Sequence, residues 1–338
     1  MKTAVILFNL GGPDSPAAVQ PFLFNLFNDP AIIRLPGLPR WLLAKLISRR
    51  RAPVAREIYA KLGGRSPILP ETEAQARALE AVLGPDYRCF ISMRYWKPFA
   101  ADAAKAAKDW GAERLLLLPL YPQFSTTTSA SSLLDWKQAA AAAGLDLPTA
   151  TIGCYPTEAG FISAQASLIR DKLVQAGDQP YRLLFSAHGL PKKIITAGDP
   201  YQWQVEQTAA AIVAALGIPD LDWQVCYQSR VGPLEWIGPA TDAEIERAGR
   251  DGKAIVLAPI AFVSEHSETL VELDIEYGEL AHEKGVPAYH RVATVGIAPD
   301  FIQGLARLAR GAVYDGSVCS QESRRLCPTN FSGCACRS

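Results

Sequence analysis

Ala254-Ile-Val-Leu-Ala-Pro-Ile-Ala-Phe-Val-Ser-Glu-His-Ser-Glu-Thr-Leu-Val-Glu-Leu-Asp-Ile-Glu-Tyr277 decides the fold. Its first ten residues form a continuous apolar run, the pattern of a strand buried on both faces. A helix follows, with Ser264 or Ser267 as its N-cap and acidic residues in the first turns, where the helix dipole favours them. Glu268, Glu272 and Glu276 recur at a spacing of four, on one drifting stripe. Glu265 can join the stripe one turn earlier, and Asp274 falls on the opposite side. Like charges so spaced repel by a few tenths of a kcal/mol per pair, roughly. The nearest lysine is Lys284, and no opposite charge stands inside the row. A solvated helix face is one reading. The other is a site for a cation or for protons, because His266 stands at a strand-to-helix junction, where open α/β sheets bind ligands.

Working outward, the same rhythm fills the chain. Strand-like runs lie at Thr3–Leu10, 88–95, 114–120, 149–155, 182–185, 223–228 and 289–295, and helical stretches separate them. This alternation specifies βαβ units and parallel sheets. The expected architecture is α/β, with two similar doubly wound, Rossmann-like domains, a cleft between them and a short cysteine-rich extension. The expected bounds are 1–157, 158–312 and 313–338.

The 338 residues carry 34 basic and 34 acidic side chains, which argues against a general nucleic-acid binder. No apolar run reaches the roughly eighteen residues of a membrane span. The N-terminus reads as a first strand rather than a signal peptide, so a cytoplasmic protein is expected. The segment 31–51 is rich in Leu, Ile and Pro and ends in Arg49-Arg-Arg51, with Lys45 nearby. It reads either as core helices or as a lip touching the anionic inner face of a membrane.

Seven cysteines are unevenly spread. Cys89, Cys154 and Cys226 lie in or beside strands, as small buried hydrophobes do. Cys319, Cys327, Cys334 and Cys336 crowd the last twenty residues. In a cytosolic chain such a group more often binds a metal or an iron–sulfur centre than forms disulfides.

Six strand-end motifs then fall into one family's order. They are Leu10-Gly-Gly-Pro13, Gly63-Gly-Arg-Ser-Pro-Ile68, Tyr121-Pro-Gln123, Ser186-Ala-His-Gly-Leu-Pro191, Gln228-Ser-Arg-Val-Gly-Pro233 and Ser264-Glu-His-Ser-Glu-Thr-Leu270 with its continuation to Tyr277. Together they resemble ferrochelatase over about residues 3 to 312. The resemblance implies insertion of Fe²⁺ into protoporphyrin IX to give protohaem, with release of two protons. It assigns His188 as proton acceptor or iron ligand, with Glu268 facing it. The resemblance makes Glu272 and Glu276 an acidic track for protons or metal, with His266 beside it. The resemblance also implies that Leu10, Tyr95 and Trp236 line the porphyrin cleft, with Arg94 as a propionate or structural partner.

Some ferrochelatases carry a C-terminal extension that binds a [2Fe–2S] cluster, and the tail resembles it, with Cys319, Cys327, Cys334 and Cys336 as ligands. Animal members take one ligand from the turn after Tyr-Pro-Gln, where this chain has Thr126. Zinc is the alternative occupant. Coproporphyrin as substrate, a cobalt or nickel chelatase, a non-catalytic porphyrin carrier and a homodimer all stay open.

Overall fold

The computed structural model describes residues 1–230 and 232–336, so Val231 of the Gln228–Pro233 motif lies outside the described residues. The strands are β1 (Thr3–Asn9), β2 (Tyr87–Met93), β3 (Arg114–Pro119), β4 (Thr149–Cys154), β5 (Tyr181–His188), β6 (Trp223–Gln228), β7 (Ala254–Pro259), β8 (Tyr289–Arg291) and β9 (Val318–Ser320). They build two sheets, ordered β2-β1-β3-β4-β9 and β6-β5-β7-β8, and every pairing is parallel. Through its fourth strand each sheet follows the same second-first-third-fourth order. That order puts a switch point between β1 and β3 and another between β5 and β7.

Strand alternation assigns each face its partner. Val5, Leu7, Leu116 and Leu118 share one core with Leu183, Phe185 and Val256 of the other sheet, bridged by Phe161 and Phe301. The intervening Ala4, Ile6, Phe8, Leu115 and Leu117 face the other way, onto the helices Ala100–Asp109 and Ser129–Ala142. In the second sheet, Leu184, Ile255 and Leu257 turn outward onto the helix Thr241–Arg250 and onto Leu273. Burial on both faces is why these strands read as unbroken apolar runs.

Three features depart from the sequence reading. The acidic segment Glu268–Glu276 is a π-helix, continued by an α-helix at Tyr277–Glu283. Its i→i+5 bonding widens the turn, a geometry found mostly at functional sites. Neither serine caps it: the Ser264 hydroxyl donates to Gln75 Oε1, and Ser267 makes no side-chain cap. The cap is His266, whose Nδ1 accepts the Glu268 and Thr269 N–H groups while Thr269 Oγ1 accepts the His266 N–H. This is a capping box with imidazole in place of a hydroxyl. Finally, the tail is not merely appended, since its β9 extends the first sheet beside β4.

From Gly37 the lip segment enters one long helix, Gly37–Ala60. Its buried residues are Ala44, Ser48, Ala52 and Tyr59, small ones apart from the tyrosine. Leu38 (70% exposed), Trp41, Leu42, Leu46 and Val54 (60% exposed) face outward. The apolar stripe therefore points away from the core, and Arg34, Lys45, Arg49, Arg50 and Arg51 are exposed around it. Among the described residues no helix is long and apolar enough to cross a membrane.

Candidate active site

Three neighbouring strand ends supply the site. His188 closes β5, Gln228 closes β6 with Ser229 just beyond it, and Glu268 opens the π-helix after β7, so the group surrounds the second switch point. His188 Nδ1 lies 2.9 Å from Glu268 Oε2. The two side chains remain 39% and 27% exposed, open on one side. Burial alone would lower the His188 pKa, but the Glu268 charge and hydrogen bond, with Glu272 behind them, raise it. Burial would likewise raise Glu268, yet His188, then His266 and Ser229, draw it down to about 2. Both directions describe one ion pair. With Nδ1–H donated to the carboxylate, the neutral imidazole leaves its Nε2 lone pair to act as base or ligand.

Ser229 links the acidic residues. Its backbone is left-handed, φ 58°, which is uncommon without glycine. That conformation gives Glu272 both the backbone N–H, 2.8 Å from Oε1, and the hydroxyl, 2.5 Å from Oε2. The same hydroxyl lies 3.3 Å from Glu268 Oε2. Burial first, then the Glu268 charge, raises the Glu272 pKa. Tyr277 adds a hydroxyl 3.3 Å from Glu272 Oε1. Glu276, at the far end of the π-helix, is exposed.

Glu265 does not join this row. It and Asp274 both bind Arg291 of β8, at 2.7 and 2.6 Å, so the missing cation comes from a strand. His266 also stands outside the row. Its Nδ1 serves the cap, burial lowers its pKa, and its Nε2 is buried without a partner among the described residues. The imidazole is thus held neutral.

The cleft residues divide. Trp236 packs by Gly189, where an added Cβ would meet its ring at 3.4 Å, one residue beyond His188. Leu10 is half-buried at the end of β1 and packs with Val19, Phe22, Tyr59 and Tyr95. Tyr59 Oη lies 3.3 Å from Ser267 Oγ, which ties the lip helix to the head of the π-helix. Arg94 and Tyr95 are turned to the buried Asp29. Arg94 Nη2 is 2.9 Å from Oδ2, and the Tyr95 hydroxyl donates to the same oxygen at 2.8 Å. Ser229, Tyr59 and Tyr201, whose hydroxyl donates to the His188 carbonyl at 3.1 Å, had no signal beyond lying in or near the motifs. Two cavities, of about 600 Å³ beside Arg94 and about 290 Å³ beside Glu158, lie away from His188.

The sulfurs gather differently from the expected set. Cys334 and Cys336 pack with Cys154 of β4, and Cys327 joins them through the Gln204 amide, which donates to both Cys327 and Cys154. Close approach of the tail requires Gly153, where a Cβ would meet Cys336 Sγ at 3.2 Å and Val318 at 2.8 Å. Cys319 stands apart, 3.2 Å from Ser317 Oγ. The pleat explains this, since Val318 packs with Cys154 and the next side chain on a strand points to the opposite face. Thr126 is adjacent but gives its N–H and hydroxyl to Asp199. The neighbouring Cys327 and Cys336 thiols lower the Cys334 pKa. Among the described residues no three His, Cys, Asp or Glu side chains group around a single ion.

Paired parallel sheets with a histidine–carboxylate pair at the switch point fit a chelatase-type enzyme. The solved SirB from Bacillus subtilis with Fe³⁺ has the same fold, with a TM-score of 0.52 at 13% identity over 92% of this chain and 95% of that one. The ferrochelatase family model matches residues 2–313. Ferrochelatases of Caulobacter vibrioides and Phenylobacterium zucineum are 56% and 54% identical, over 99% and 100% of this chain and 98% and 99% of theirs. The chain belongs to the ferrochelatase family. It is a metal chelatase, a lyase that inserts iron into a porphyrin to give protohaem.

Proposed function

We propose that His188 Nε2 takes the pyrrole protons as iron enters, while Glu268 orients the ring and stabilises the imidazolium. The carrying observation is the 2.9 Å His188–Glu268 bond at the open strand ends. A histidine raised above its ordinary value of about 6.5 is a stronger base than a free one. Its proton can then leave along Glu268, the Ser229 hydroxyl and Glu272, whose raised pKa makes it the readier carboxylate to receive it. Glu276 gives that track an exposed end. Trp236 and Leu10 present apolar surface to the macrocycle, while Arg94 braces the wall through Asp29. Iron is substrate here, approaching His188 and Glu268 from the open side.

The protein works at a membrane surface in this reading, with the outward apolar stripe of the lip helix dipping among headgroups and its basic fringe facing anionic lipid. Cys154, Cys327, Cys334 and Cys336 hold a [2Fe–2S] centre. Four thiols gathered near the end of β4, with no three among the described residues placed around a single ion, suit two irons with two thiolates each better than one tetrahedral zinc. Such a centre would supply one-electron redox chemistry; the chain supplies thiolates and a dry, hydrogen-bonded setting.

Anaerobic addition of Fe²⁺ to protoporphyrin and coproporphyrin, followed by absorbance, tests the reaction. His188→Ala and Glu268→Gln are expected to lose about 10²–10⁴-fold in rate while still binding porphyrin, the usual worth of acid–base help. Activity within tenfold of wild type in either would remove that residue from the mechanism.

A further inference from the structure

One helix, Tyr201–Leu216, touches both the active site and the sulfurs. Its first residue, Tyr201, holds the His188 carbonyl. One turn later, fully buried Gln204 directs Nε2 at two sulfurs, Cys327 Sγ at 3.0 Å and Cys154 Sγ at 3.4 Å. Its Oε1 accepts the Phe124 N–H at 2.7 Å, which fixes the amide so that nitrogen, the only donor, faces sulfur.

The residues before this helix are tied to the tail as well. Asp199 accepts the Tyr201 N–H at 2.9 Å and also the Thr126 N–H and hydroxyl. The Gly333 N–H donates to the Gly198 carbonyl at 3.0 Å. Gly198 has φ +95°, and a Cβ there would collide with Ser332 Oγ at 2.4 Å, so the tail rests directly on the chain entering the helix. A change in volume or charge at the sulfurs therefore has a short, packed route to the His188 backbone. It passes through a single helical turn, about 5.4 Å long.

We infer that Gln204 is a positioning residue which tunes the sulfur centre through N–H···S bonds and couples it to His188 through Tyr201. This rests on the two-iron reading of the four cysteines. Hydrogen bonds to the sulfurs are among the factors that set a cluster's potential, because they draw charge from the thiolates and favour the reduced, more negative state. Coupling to His188 follows because Gln204 and Tyr201 move as one rigid turn.

Two variants separate these effects from simple damage. Gln204→Glu keeps an oxygen for the Phe124 N–H and deletes the donor; Gln204→Met keeps bulk and deletes both. Iron and sulfide content, midpoint potential, and kcat and KM for porphyrin are measured on the whole protein. Both variants are expected to keep the cluster, to titrate at a more negative potential than wild type, and to lose kcat with KM for porphyrin unchanged. A wild-type potential in a fully loaded variant, or an unchanged kcat, overturns the Gln204 assignment alone. Wild-type protein without sulfide overturns the two-iron reading and this inference with it.

Discussion

Arg291 and Asp274 form a two-pronged ion pair, Nε to Oδ1 at 2.6 Å and Nη2 to Oδ2 at 2.7 Å, on the β8 side of the π-helix. Arg291 Nη1 reaches Glu265 Oε1 as well, at 2.7 Å. Burial would raise Glu265, but the guanidinium beside it holds its carboxyl below the usual range. Two of the segment's acids are thereby neutralised from one side, while Glu268 and Glu272 face His188 and Ser229 on the other. Arg291→Ala strands a largely buried Glu265, and breaking such a pair costs about 3–5 kcal/mol. Urea unfolding is expected to register that loss, with Arg291→Lys, which cannot bridge both acids in a fork, falling between. A change under about 0.5 kcal/mol, that of an ordinary surface site, would show that the pair does not hold the helix.

The His188–Glu268 pair gives a signed pH dependence. The base must be neutral to accept a proton, so kcat/KM falls on the acid side as His188 is protonated. Because Glu268 raises the His188 pKa, the wild-type acid limb is expected above about 6.5. In Glu268→Gln the raising charge is gone while burial still lowers the pKa. The residual activity is therefore expected to extend to lower pH than in wild type, even though its maximum drops. An acid limb that stays put or moves upward would contradict the assignment of that limb to His188.

At the lip, sequence could not choose between core and membrane surface. The stripe Leu38, Trp41, Leu42 and Leu46 faces outward, next to the basic residues. Each Lys or Arg near an anionic bilayer contributes about 1 kcal/mol, and salt screens it within a Debye length of about 10 Å at 0.1 M. Flotation is expected with anionic vesicles, weakened by high salt and by Leu38→Ser with Leu42→Ser. Equal partitioning into neutral vesicles, indifferent to salt, would argue against a headgroup contact.

How much was legible follows from range. The parallel sheets could be read because two-sided burial writes apolar runs into contiguous sequence, as at Ala254–Pro259. His188 and Glu268 could be named because each stands in a local motif. The π-helix was not legible, since the acid spacing of four suits an α-helix equally well and the wider turn depends on partners. Those partners lie far off in sequence: Arg291 for Asp274 and Glu265, and Ser229 for Glu272. The cap escaped for a chemical reason, as serine hydroxyls are the ordinary acceptors there and the imidazole of His266 took their place.

The cysteines make the same point and give the last test. Four tail cysteines formed the natural set by number, but strand alternation turns Cys319 away, and the pairing of β9 with β4 brings Cys154 in. Serine at Cys154, Cys327, Cys334 or Cys336 is therefore expected to abolish the visible bands and the complement of about two irons and two sulfides per chain. Serine at Cys319, Cys89 or Cys226 is expected to leave both intact. Metal binding contributes to folding, so loss of the centre should also free the tail, read as faster proteolysis after about residue 313 in the colourless variants. Colour retained in Cys154→Ser but lost in Cys319→Ser would restore the tail-only ligand set. One zinc per chain and no sulfide would replace the cluster with a single-ion site.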